Sequence, residues 1–113
     1  MSSIQKSEVL FETKDVTGNT VRTSSSYWKK ILQLKHAELT TSTKEVISTL
    51  QNPEEVRESI QDSHILLFYR RWDNLYLVIV VKYIQTMGFI VTMYKTSKVK
   101  RKGTIVWQQK KTT

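Results

Sequence analysis

From His64 to Gln108 the apolar residues recur with a period of two, and that rhythm constrains the fold more than any other feature of the chain. "HILLFYRR" and "LYLVIVVKY" are separated by Trp72-Asp73-Asn74, which reads as a hairpin loop. "GFIVTMYKT" and "GTIVWQQ" follow, each opened by a glycine. The pattern predicts four antiparallel strands in meander order. Upstream the period is helical. Trp28, Ile31, Leu32 and Leu39 share one face behind the caps offered by "SSS" at 24–26, predicting a helix over 26–39. Ser42 with Glu45 forms a capping-box pattern for a second helix over 42–60, restarted by Asn52-Pro53 as a short third turn. "EVLFET" and "NTVRT" flank "KDVTG" as a small hairpin, with Gly18 and Asn19 suited to the positive φ of its turn. The expected architecture is α+β: an N-terminal hairpin and two to three helices packed on one face of a four-stranded antiparallel meander sheet.

Register divides the strand residues between two faces. One collects Ile65, Leu67, Tyr69, Leu75, Leu77, Ile79, Val81, Phe89, Val91 and Met93, and is expected to pack on the helices. The other collects Leu66, Phe68, Arg70, Tyr76, Val78, Val80, Lys82, Ile90, Thr92 and Tyr94. On that open face Arg70, Tyr76, Thr92 and Tyr94 are expected to cluster at one end, with Lys82 at the other.

Charge sharpens the reading. Residues 1–73 hold ten basic and ten acidic side chains, so the whole formal charge of +8 lies in the acid-free stretch 75–113. Lys82, Lys95, Lys98, Lys100, Arg101, Lys102, Lys110 and Lys111 supply it. Cations beside tyrosine rings suit RNA, whose phosphates they neutralise and whose unpaired bases stack on the rings. The plainer alternative is a solvated lysine-rich edge that blocks strand-to-strand pairing. At 113 residues the chain is expected to form a single domain, 1–113, with 1–7 and 109–113 flexible. The absence of cysteine rules out a disulfide framework and fits a reducing, cytoplasmic setting. No secretory signal is visible in "MSSIQKSEVL", and no apolar run is long enough to span a bilayer, so no membrane partner is expected. Clustered carboxylates for a metal-dependent nuclease are missing from the acid-free half, and no Gly-rich phosphate loop or nucleophile elbow appears.

Taken in order, "YWKKILQLKHAEL", "VISTLQNPEEVRESI", "LLFYRR", "LYLVIVVK", "GFIVTMYKT" and "GTIVW" resemble the barnase–EndoU–colicin–RelE group of ribonuclease folds. The likeness is to the small domains found as phage-associated and toxin–antitoxin nucleases, and it runs from about Glu8 to Gln108. The chain keeps Pro53, Val56, Arg57 and Ser59, and Thr92 with Tyr94; it has His36-Ala37-Glu38 where the group has His-Pro-Glu. The resemblance implies a metal-independent endoribonuclease, a toxin or phage-type effector, that cleaves by attack of a 2′-hydroxyl on the adjacent phosphate. The implied catalytic set is His36, Arg57, Arg70, Lys82, Thr92 and Tyr94, with no cofactor and no metal. His36 would move the proton, and the cations would hold the phosphate. Ser59, Tyr76, Lys95, Lys98, Lys100, Arg101 and Lys102 would bind RNA, and an acidic antitoxin is the expected protein partner. Read from the residues alone, His36 on the flank of an apolar stripe is more readily a capped or half-buried helix-end histidine. The alternative function is a non-catalytic RNA- or protein-binding domain on the same scaffold.

Overall fold

A computed structural model describes residues 8–34, 42–100 and 102–110. The expected hairpin is present: β1 (Val9–Lys14) pairs antiparallel with β2 (Thr20–Ser24). Its turn is organised by the Asp15 carboxylate, which accepts from the backbone N–H groups of Thr17 at 2.8 Å and Asn19 at 3.2 Å. Gly18 alone takes the positive φ there, at 95°. Helix α1 (Ser25–Leu34) follows β2 without a loop, and Ser24 Oγ accepts the Tyr27 N–H at 3.1 Å as its cap. Its expected continuation to Leu39 lies outside the described residues. Helix α2 (Thr43–Gln51) opens on the predicted capping box, with Ser42 and Glu45 each accepting the other's backbone N–H.

Helix α2 does not continue to Ile60. Asn52 precedes a proline and leaves helical conformation at φ −138° and ψ 60°. Beyond Pro53 the chain forms β3 (Glu55–Glu58), a strand where a third helical turn was expected. Three strands of the predicted meander are present as β4 (Ile65–Trp72), β5 (Leu75–Ile84) and β6 (Met87–Thr96). The fourth, β7 (Ile105–Gln108), does not pair with β6. It crosses the sheet to the far side of β3. The expected four-stranded meander is therefore replaced by a seven-stranded mixed sheet of order β1-β2-β6-β5-β4-β3-β7, in which β2 and β6 run parallel. Gln109, expected in a flexible tail, donates its N–H to Glu54 O at 3.0 Å and prolongs that edge.

The faces differ from expectation in two places, each for one residue of register. Trp72 pairs directly with Leu75, so the loop is Asp73-Asn74 alone, with Asp73 at φ 54°. Shortening the loop from three residues to two turns every β4 side chain over. Leu66, Phe68, Arg70 and Trp72, not Ile65, Leu67 and Tyr69, stand with Leu77, Ile79 and Val81 on the helix side. In β6 a bulge at Val91 sets Ile90 opposite Val81 and Phe89 opposite Lys82. Ile90 thus enters the core and Phe89 leaves it, while Met93 stays as expected.

The core lies between this face and the helices. Phe68, Leu77, Ile79, Val81, Ile90 and Met93 pack there with Val21, Ile31, Val46, Leu50 and Val56 in one apolar cluster. Among the described residues no helix is long and apolar enough to cross a membrane.

Candidate nucleic-acid interface

The opposite face is covered by chain rather than by a helix. Thr96 ends β6 in the row of Tyr76 and Arg71, whereas Ile105 opens β7 beside Arg57, in the row of Leu67, Val80 and Thr92. The connection 97–104 must therefore cross β5, β4 and β3 while returning four rows, from that of Thr96 to that of Thr92. Its far end is held from the side away from the helices, where Arg57 Nη1 donates to Gly103 O at 2.9 Å. Tyr69, Val78 and Glu55 stand on this same face and are buried, Val78 completely. Along this strap Val99 is half-buried, while Lys98, Lys100 and Lys102 on either side are exposed.

Four of the six residues expected to be catalytic share this face by register: Arg57, Lys82, Thr92 and Tyr94. Tyr76 stands there too, opposite Thr96. Arg57 is not an open cation. Its Nε donates to the Glu55 carboxylate, and the two side chains are only 14% and 5% exposed. Lys82 is solvated at the far end, with Nζ 3.8 Å from Asp62 Oδ2. Burial raises the Tyr94 phenol above the ordinary tyrosine range and keeps it a neutral hydrogen-bonding group.

Arg70 is absent from the cluster in which it was expected. The flipped register puts it on the helix side, where Nη1 donates to Asn52 O and the guanidinium lies 5.1 Å from the Trp72 ring centre. Trp72 in turn donates its indole N–H to Thr49 Oγ1 at 3.1 Å and so braces α2. Lys95, opposite Leu77, belongs to that side as well. Ser59 shapes the turn after β3, its Oγ accepting the Gln61 N–H at 3.2 Å. His36 and Arg101 lie outside the described residues.

Three residues of interest lie outside the expected site. Glu55 is two positions from Arg57, a spacing that aligns them once "EVRE" is a strand. Arg71 replaces Arg70 opposite Tyr76. His64 is 72% exposed and oriented by Asp62, which lies 3.2 Å from its Nδ1 and accepts its backbone N–H at 2.9 Å. The His64 backbone N–H is the main cause holding the Asp62 carboxyl below the usual carboxylate range, with its ring and Lys82 adding to it. The signal available in the sequence was Asp62-Ser63-His64, an aspartate two residues before the group it caps.

Among the described residues no three histidine, aspartate or glutamate side chains gather as a metal site. Compared with protein-family models, with curated proteins and with solved structures, the chain matches none.

Proposed function

We propose that this chain is an RNA-binding domain that holds single-stranded RNA on the strap side of its sheet. The observation that carries the reading is the strap itself: Lys98, Lys100 and Lys102 are exposed on the connection that ends at Arg57, a residue of the face that also bears Tyr76, Thr92 and Tyr94. Lysine supplies sequence-independent attraction to phosphates, and hydroxyl groups and rings beside it suit the 2′-hydroxyls and bases of an unpaired strand. The test is binding of a labelled single-stranded RNA at low and moderate salt, in EDTA. Affinity should fall steeply with salt. A Kd that hardly moves would remove the electrostatic basis of the reading.

Cleavage is a second reading, favoured by one observation. The Asp62 carboxylate lies between His64 and Lys82, so an oriented imidazole and a cation sit beside one carboxylate at that end of the sheet. Proton transfer beside a cation is what 2′-hydroxyl attack requires. Gel analysis of the same EDTA incubations distinguishes the readings: products lost in His64→Ala or His36→Ala support cleavage, and intact RNA in every lane leaves binding alone.

A further inference from the structure

A second feature lies beside Lys82, where the parallel pair β2–β6 comes apart. Their pairing stops at Arg22 and Phe89, because β2 runs straight into α1 while β6 continues along β5. The gap becomes a groove of about 630 Å³, within the range of small-molecule sites. Tyr27, from the first turn of α1, closes one end and donates its hydroxyl to Val91 O at 3.0 Å. The Val91 bulge aims Phe89 at the groove instead of the core. Val9 and Ile84 complete the apolar lining, so half of the ten exposed large apolar residues of the described structure meet here.

Two cations border this apolar surface, Arg22 and Lys82. Arg22 Nη2 is held by Glu12 at 2.8 Å, and its side chain is 39% exposed to the groove's rim. A ligand that satisfies both features has a flat apolar part and an anionic part. Resting on the RNA-binding reading above, we infer that the groove takes one unpaired base of the bound strand, which stacks on Phe89 while its phosphate meets Lys82 and Arg22. Base stacking on an exposed ring tolerates any base, because every base has a π-face. The groove therefore supplies affinity for single strands over duplexes, not sequence choice.

The test compares a short single-stranded RNA with an abasic strand of the same length and charge, by fluorescence anisotropy. The wild-type protein should bind the base-bearing strand more tightly. Phe89→Ala should weaken that binding by about tenfold and leave the abasic strand unchanged. Phe89→Trp should retain the preference. Phe89 is 40% exposed, so its truncation spares the core, and thermal unfolding checks this. In the wild type, a 4-thiouridine strand should photocrosslink to the peptide carrying Phe89 or Tyr27. Equal binding of both strands, unaffected by Phe89→Ala, would overturn the base site and leave RNA binding standing. Binding of neither strand by wild-type protein would overturn both.

Discussion

On the helix side of the sheet Phe68, Leu77, Ile79, Val81 and Met93 are sealed from water in one apolar cluster. One position along the same strands, on the strap side, stand Tyr69, Val78, Lys82, Thr92 and Tyr94, joined by Glu55 and Arg57 from β3. Both sides contain buried groups, yet they are buried differently. A helix supplies an apolar stripe and demands apolar partners, whereas a strap without secondary structure leaves carbonyls to be satisfied, and Arg57 satisfies one at Gly103. The polar side is thus a consequence of how it is covered, and it is where charge could be placed without disrupting the core.

The comparison breaks most visibly at adjacent residues of β5. Ile79→Ala should cost about 3 kcal/mol in urea unfolding, and Val80→Ala on the other side about 1 kcal/mol. Equal losses would mean that the strap face is packed as tightly as the core. The ion pair comes next. Glu55→Ala should cost about 3 kcal/mol, because it strands a nearly buried guanidinium, and replacing both partners with apolar residues should recover much of it. A loss below about 1 kcal/mol would mark the pair as a surface contact.

Gly103 ties the strap to the edge. Its φ is 89°, and an added Cβ would lie 1.9 Å from Glu58 O. Gly103→Ala should cost about 2 kcal/mol and speed amide exchange in 97–104 ahead of the core strands. Unchanged stability would show that the strap is not pinned there.

The smallest effect is alkaline. Burial, aided by Asp15, pushes the Tyr83 phenol far above its ordinary value, and burial raises Tyr94. Both pKa values are higher folded than unfolded, so unfolding releases protons and stability declines as pH rises past about 10. The loss should be shallower in Tyr83→Phe, which removes the helix-side contributor. A flat stability profile to about pH 11 would contradict the burial of both rings.

Much of this was legible in the chain. The Ser42–Glu45 box and the "KDVTG" turn are local signals that opened the helix and hairpin they implied, whereas the alternation after His64 produced strands but not the meander, and the helix stopped at Gln51. Face assignment failed where a single residue decides it. Nothing in "RRWDNLY" distinguishes a two-residue from a three-residue loop, and the bulge at Val91 answers to the packing of Ile90, not to β6 itself. Arg70 was lost from the candidate site for that reason, and Phe89 was gained by the groove. The remaining errors are long-range. "EVRE" is too short to show a period, and sequential strands usually neighbour one another, so the departure of β7 to the far edge could not be read locally. The lysine strap follows from that departure: the charge was visible in the sequence, its place over the sheet was not.

On the proposed function, the strap lysines are the RNA-binding surface. The most direct test is the slope of log affinity against log salt for single-stranded RNA, measured for wild type, for Lys98→Gln/Lys100→Gln/Lys102→Gln, and for a control with Lys29, Lys30 and Lys44 replaced on the helices. Three lost phosphate contacts should make the slope shallower by about 2 in the strap variant, with the control close to wild type. A slope unchanged in the strap variant, or equally reduced in the control, would contradict the account.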